Sequence, residues 1–401
     1  MTDLDEAIVS KLTDQRLDDN KDFSEYLGDL ETQHLLDEEH LSLLPFPSCG
    51  DICYLDKTSN PPIFEGSGGI IWKSRIKAKI NGVKIGDTVA IKCLLNPENK
   101  KPATYMKNSL SEFLTMKRGC LKNHSISQVY AICRDMEDGV AQYSLVLPYF
   151  KNGDLLSLLT KVTRYNLAFP QSERDLIFCK IINAVKALQN ENIVHRDIKP
   201  ENVLIDDNGD VKLGDFGYAI YLAKTEMYED PTKYGDDDLR NDSNFFLGTK
   251  SFKAPELFQY DPTKEHKPNH EGLNLKASDI WSLGLFYFLV SSIPRPWKVA
   301  NSSDKEYKDY ARIYGLMNID EATEADINMN IISQPALPKF KKLPDSSREC
   351  ILKMLNPDPQ RRWDIKQVTR SEWFRDRQYT FKSKLDDKTH RNEFVLNLLS
   401  Y

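Results

Sequence analysis

Asp197, Lys199, Asn202 and Asp215 are the residues of this chain whose types and spacing could do chemistry. The first three lie in one stretch, His195-Arg196-Asp197-Ile198-Lys199-Pro200-Glu201-Asn202, which supplies a carboxylate, a cation and an amide in quick succession. Asn202 leads into a β-rich run at 203–206, a turn at Asp207-Asn208-Gly209 and a second run at 210–213. Two such runs around an Asn-Gly read as a hairpin. A hairpin brings its ends together, so Asn202 is expected beside Gly214-Asp215-Phe216-Gly217. An Asp and an Asn converging from two segments are hard oxygen donors, suited to Mg²⁺ rather than to a soft metal. Such a site needs a polyphosphate to complete it.

The elements that must position these groups are legible on both sides. Upstream, Glu65-Gly66-Ser67-Gly68-Gly69 enters a β-rich run at 70–80, Asn81-Gly82 marks a hairpin turn, and a second strand ends in Val89-Ala90-Ile91-Lys92. The glycines sit between strands and open no helix, which excludes a dinucleotide-binding fingerprint. Between Glu98 and Asp135 the only acid is Glu112, on a helical pattern with Leu110, Phe113, Leu114 and Met116. A lone carboxylate on a basic helix suits an ion pair that orients Lys92 toward phosphates. An apolar strand then ends at Pro148, and Asn152-Gly153-Asp154 turns the chain into a helical region. Ser172 and Asp175 resemble a capping box at the head of a helix carrying Leu176, Ile177, Ile181, Val185 and Leu188. The apolar run 280–290 is too short to span a bilayer and reads as a buried helix.

Composition bounds the rest. The chain has 401 residues, 28% charged and 40% hydrophobic, with net charge −6. That is a soluble profile with length for two lobes plus extensions, and its overall field does not favour nucleic acid. Seven cysteines without a Cys-x-x-Cys pair argue for reduced thiols and against a zinc site or disulfide framework. The acidic start excludes a secretory signal or an Arg-rich transit peptide. A cytoplasmic protein, also compatible with the nucleus, and a monomer are expected.

Together the motifs His195-Arg196-Asp197 with Lys199 and Asn202, Asp215-Phe216-Gly217, Ala254-Pro255-Glu256 and Val89-Ala90-Ile91-Lys92 resemble the eukaryotic protein kinase signature set. The resemblance covers about residues 60–376, and Lys199 with Thr249 after Gly248 is similar to the Ser/Thr class. It implies an α+β bilobal fold: an acidic extension at 1–58, a β-rich N-lobe at 59–149, a helical C-lobe at 150–376 with a long acidic activation segment at 215–256, and a tail at 377–401. It implies ATP and Mg²⁺ and protein substrates; the acidic residues 1–58, with Leu35, Leu36, Leu41, Leu43 and Leu44 among them, read either as a solvated, partly helical leader or as a regulatory arm that docks on a partner. Asp197 would accept or orient the proton of a substrate hydroxyl, Lys199 would lie near the γ-phosphate, and Asn202 and Asp215 would hold Mg²⁺. Lys92, paired with Glu112, would grip the α- and β-phosphates under the loop Gly66, Ser67, Gly68 and Gly69. Ala90 would contact adenine, Leu147 is similar to the gatekeeper, and Asp154 falls where a ribose-binding acid is expected. Arg362 resembles the partner of Glu256, Asp279 would anchor the catalytic-loop backbone, and His195, Arg196 and Phe216 would be structural. A segment at Pro296-Trp297-Lys298-Val299-Ala300 with Asp304 and Tyr307 is similar to fungal nutrient- and stress-response kinases of the halotolerance, nitrogen-permease-regulating and Ran-like groups.

Three departures qualify the expectations. Ile71 stands where a third glycine is usual; with a shortened loop Gly69 takes that role and Ile71 becomes the apolar roof over adenine, whereas the other register puts Lys73 there. Pro148 replaces the acid common after the gatekeeper. Phe245 occupies a position often held by a phosphorylatable residue, leaving Ser243, Thr225 and Thr232 as candidate phosphosites. Glu201 could attract a substrate arginine, although Leu289 replaces the second acid that would support it. A scaffold or pseudokinase would tolerate loss of Lys92, Glu112, Asp197, Asn202 or Asp215; all five are present.

Overall fold

Alternating apolar residues around 69–93 and 131–148 fold as strands, and the longer periodic stretches after residue 150 fold as helices. A computed structural model describes residues 46–54, 61–66, 68–80, 83–96, 102–137, 139–222, 247–258, 273–319 and 321–401. Residues 1–45, Ser67 and the segment carrying Thr225, Thr232 and Ser243 lie outside these, so the expectations attached to them do too.

The chain divides into a small β-rich unit and a larger helical unit, the α+β architecture expected. In the small unit β1 (Phe64–Gly66), β2 (Gly69–Arg75), β3 (Thr88–Cys93), β4 (Ala131–Glu137) and β5 (Val140–Pro148) form one sheet in the order β1-β2-β3-β5-β4. Every pairing is antiparallel. A short helix α1 (Cys49–Ile52) precedes the strands, and α2 (Pro102–Lys122) lies between β3 and β4. Helix α1 corrects the expected boundary near residue 58. Cys49, Ile52 and Cys53 join Ile76, Val89, Ile91, Cys133 and Val146 in one core cluster. Asp135 of β4 accepts hydrogen bonds from Ser48 Oγ at 2.5 Å and Cys49 N at 3.1 Å. The acidity of the preceding stretch masked an apolar i, i+3, i+4 triplet that belongs to the sheet.

The helical unit opens with α3 (Leu155–Arg164), capped by Asp154, and α4 (Gln171–Asn190). The expected capping box at Ser172 is absent: Pro170 occupies the N-cap and makes no side-chain cap bond. Asp175 is instead buried, accepting from Tyr287 Oη at 2.8 Å and pairing with Arg377 at 3.1 Å. After β6 (Ile193–Val194) come β7 (Val203–Ile205) and β8 (Val211–Leu213), which pair antiparallel as the predicted hairpin, and β9 (Ile220–Tyr221) returns to β6. Helix α5 (Leu275–Val290) is buried along nearly its whole length, with Trp281, Phe286, Tyr287 and Phe288 fully enclosed. Helices α6 (Lys305–Leu316), α7 (Glu324–Ser333), α8 (Asp345–Met354), α9 (Ile365–Arg370), α10 (Glu372–Thr380), α11 (Lys382–Asp386) and α12 (Glu393–Leu399) complete the unit.

The stretch expected as a separate tail at 377–401 is part of this body. Phe394 stacks on Phe169 at 5.8 Å, and Val395 and Leu398 are buried. Lys161 Nζ donates to Leu399 O at 2.8 Å, and Asn392 N donates to Asn208 O in the β7–β8 turn at 2.7 Å. Among the described residues no helix is long and apolar enough to cross a membrane.

Candidate active site

The candidate site residues fall in both units, and those of each unit are described by their own contacts. In the small unit, Lys92 Nζ lies 2.7 Å from Glu112 Oε1 of α2, with both side chains nearly excluded from solvent. Burial removes the competing water and makes the pair a directional clamp for the lysine. A Cβ added to Gly68 would sit 3.7 Å from Lys92 Nζ, so the glycine turn closes over this ammonium.

Strand register shows which residues of β2 lie directly opposite Ala90 and Lys92. Gly66 pairs with Gly69, closing β1 and β2 through a tight turn. From there Ile71 falls opposite Lys92, and Lys73 falls opposite Ala90. Opposed residues share a sheet face, so the neighbour of Ala90 and Leu147 in that row is Lys73 and not Ile71. Gly69 has φ of 142°, and a Cβ there would lie 2.5 Å from Cys93 O. That close approach fixes where β2 begins. Lys73 remains exposed, its Nζ 4.6 Å from the centroid of the Tyr149 ring.

In the helical unit the loop between β6 and β7 is held from beneath. His195 N and Arg196 N donate to the two carboxylate oxygens of Asp279, each at 2.8 Å. Burial pushes the Asp279 carboxyl up to about 7 against the opposing effect of those amides. His195 Nε2 contacts Gly214 O at 3.0 Å, and its ring meets Phe216 edge-on at 4.9 Å. Burial keeps this imidazole below its ordinary pKa, so it acts as a neutral strut from the loop to the strand end before Asp215. Arg196 and Asp215 take positive φ of 65° and 55°. These non-glycine residues hold sparsely populated backbone geometry because their surroundings are fixed on both sides.

The reactive groups then converge. Asn202 Nδ2 donates to Asp197 O at 2.8 Å and to Asp197 Oδ2 at 2.9 Å. This leaves Asn202 Oδ1 as the amide's acceptor, while Gly214 N donates to Asn202 O at 2.8 Å. The hairpin therefore brings Asn202 to the approach of Asp215, as its turn residues predicted. Lys199 Nζ lies 2.8 Å from Asp197 Oδ2 and 2.7 Å from Thr249 Oγ1. Thr249 donates to Asp197 Oδ1 from both its hydroxyl, at 2.6 Å, and its backbone N–H, at 3.1 Å.

Gly248 makes that contact possible. Its φ is 121°, and a Cβ would come within 2.7 Å of Arg196 O. Only glycine lets the incoming segment lie so close to the catalytic loop. Glu256 is buried in a bidentate pair with Arg362, at 2.7 and 2.9 Å. Asp154 spends both carboxylate oxygens on capping α3, through Ser157 N and Ser157 Oγ at 2.8 Å each.

Residues 74–374 match the protein kinase domain model. That span is most of the chain. The chain belongs to the protein kinase domain family. Among relatives of this kinase, the serine/threonine-protein kinase ppk24, mitochondrial, of Schizosaccharomyces pombe is 28% identical over 59% of this chain and 46% of its own length. The serine/threonine-protein kinase PKH1 of Saccharomyces cerevisiae is 28% identical over 69% of this chain and 31% of its own. The serine/threonine-protein kinase hal4 of Schizosaccharomyces pombe is 25% identical over 78% and 42% respectively. The chain thus spans less than half the length of these three relatives. The resemblance to fungal Ser/Thr kinases stands on these matches.

Sequence reasoning missed the buried Asp175–Arg377 pair and the grip of Gly248 on the catalytic loop. The signal for Gly248 was its place directly before Thr249. Asp175 carried none, because its partner is distant in sequence. The Pro296–Tyr307 segment, used only as a likeness, has a structural reason of its own. Asp304 accepts from Lys298 N, Val299 N and Tyr307 N at 2.9, 3.2 and 3.0 Å. Trp297 packs on Tyr310 at 4.7 Å beneath them.

Proposed function

We propose that this chain transfers the γ-phosphoryl group of ATP to Ser or Thr hydroxyls of protein substrates. The observation that carries the reading is the Asp197 carboxylate, which already accepts an aliphatic hydroxyl, that of Thr249, beside the Lys199 ammonium. A substrate hydroxyl needs the same acceptor to orient its attack and take its proton, and a cation to offset charge on the transferring group. Asn202 holds Asp197 from the opposite side, so the carboxylate's orientation is fixed before substrate arrives. The names of the relatives point to the same acceptor class.

Lys92, tethered by Glu112, would bind the α- and β-phosphates, and the turn at Gly66 to Gly69 would cover them. Ala90 and Leu147, with the stem of Lys73 across the strand, would line the adenine site. Asn202 Oδ1 and the Asp215 carboxylate fit Mg²⁺, which takes few protein oxygens and fills its shell with water and phosphate. Among the described residues no group of three or more His, Cys, Asp or Glu could hold a metal, so a dedicated protein cage is not the alternative. Mg²⁺, when bound, neutralises phosphate charge and aligns the leaving group. Nutrient or stress signalling, a regulatory partner for the N-terminal arm, monomeric action and a cytoplasmic or nuclear site are parts of the same proposal. The signalling role rests on the resemblance, and the others on the composition and the residue pattern of the chain.

The test is transfer of labelled phosphate from ATP to a generic protein substrate, with Asp197→Asn and Lys92→Arg alongside. Transfer well above both variants is expected. A wild-type signal no higher than that of Asp197→Asn rejects the reading.

A further inference from the structure

Thr249 marks where an acceptor hydroxyl must come, because its own hydroxyl lies 2.6 Å from Asp197. The residues that follow fold back at once, since Phe252 N and Lys253 N both donate to Thr249 O, at 2.9 and 3.1 Å. Lys250 and Lys253 are therefore held within a single turn of the acceptor position. Burial and the neighbouring Lys250 charge together hold Lys253 below its ordinary pKa, so the two ammonium groups feel one another. Phe252 is buried beneath them, its carbonyl accepting from Ser282 Oγ at 3.0 Å. The Arg295 guanidinium lies over the Phe252 ring at 5.1 Å. Its loop is pinned by Lys339 Nζ, which donates to Arg295 O at 2.7 Å and Pro296 O at 3.1 Å. Among the described residues neither Lys250 nor Lys253 has an ion-pair partner.

Glu201 is the carboxylate that sequence reasoning offered to a substrate arginine. It acts on Arg295, opposing the fall that burial imposes on the guanidinium. We propose that this surface selects hydroxyl acceptors flanked, within about three residues, by an anionic side chain that Lys250, Lys253 and Arg295 read. Extended peptide advances about 3.3 Å per residue, so side chains one to three places from the acceptor pass these cations. The inference rests on the kinase reading of Asp197 and goes beyond it by naming the substrate class.

The experiment is a positional Ser/Thr peptide library with Ala, Arg, Asp, Glu and phosphoserine at each of the flanking places on both sides. It is run on the full chain, on Lys253→Gln and Arg295→Gln, and on the conservative Lys253→Arg. At one or more flanking positions the wild type should favour the anionic peptide over its alanine match by about five- to tenfold in kcat/KM, mainly through KM. That ratio should shrink at about 0.5 M salt, approach one in both glutamine variants, and persist in Lys253→Arg. Asp and phosphoserine compared at the preferred position separate a carboxylate reader from a reader of phosphorylated sites. Arg or Ala preferred at every position, or an anion preference untouched by both glutamine variants, overturns the inference alone. No transfer to any peptide, with wild type equal to Asp197→Asn, overturns the kinase reading and the inference with it.

Discussion

Thr249 does more at the residue scale than label an acceptor class. Its hydroxyl bridges Lys199 and Asp197, so it sets the distance between the cation and the carboxylate. Hydrogen bonds to charged groups contribute about 1.5–3 kcal/mol, or roughly ten- to a hundredfold in rate when realised at the transition state. Thr249→Ala should therefore lower kcat by about that factor, with Thr249→Ser recovering most of it; wild-type kcat in the alanine variant would set this role aside. The groups around Asp197 were legible because Asp197, Lys199 and Asn202 share one loop and a hairpin whose turn residues declare themselves. The row shared by Lys73 and Ala90 was not. It depends on where a glycine turn closes, and only the contact of Gly69 with the end of β3 decides that.

At the scale of elements, α12 was the hardest to assign. Its apolar run was visible, but the surface that receives it is assembled from α3, α4 and the β7–β8 turn. The partners of Lys161 and Asn392 therefore lie far away in sequence. Helix α5 was the easiest, since an apolar run of that length has only a core to enter. Truncation after Asp386 should lower the unfolding midpoint of the helical unit. It removes Val395 and Leu398 from the core, each contributing about 1.5–3 kcal/mol, and exposes Phe169. Denaturant unfolding followed by tryptophan fluorescence checks this; an unchanged midpoint would show that the last helix is only loosely attached.

For the molecule as a whole, titration gives stability a sign. His124, His195 and His390 are all held below the ordinary 6.5, in each case chiefly by burial. Their unfolded forms bind protons that the folded protein refuses, so their contribution is complete above pH 6.5 and is lost as the pH falls below it. Lys180, Lys212, Lys384 and Lys388 stand around His124 and His390, with Asp210 and Asp387 opposing them, and Lys199, Asp197 and Asp215 stand around His195. Asp279 carries the opposite sign. Its raised folded value means its contribution declines as pH rises from 3.8 toward about 7, against the histidines. A lower denaturation midpoint at pH 5 than at pH 7.5 is the expected result, and a higher one would contradict it.

The joining of Asp175 to Arg377 also dictates an order of events. Contacts at separations of 202, 219 and 238 residues close the helical unit. During synthesis the catalytic loop and its hairpin emerge long before residues 377–399, at about 5–20 residues per second. Until then Asp175 lacks the Arg377 guanidinium and Phe169 lacks the ring of Phe394, so the nascent chain carries an uncovered apolar seam beside an acid without its cation. The interval between those two moments is when this protein has most need of a chaperone.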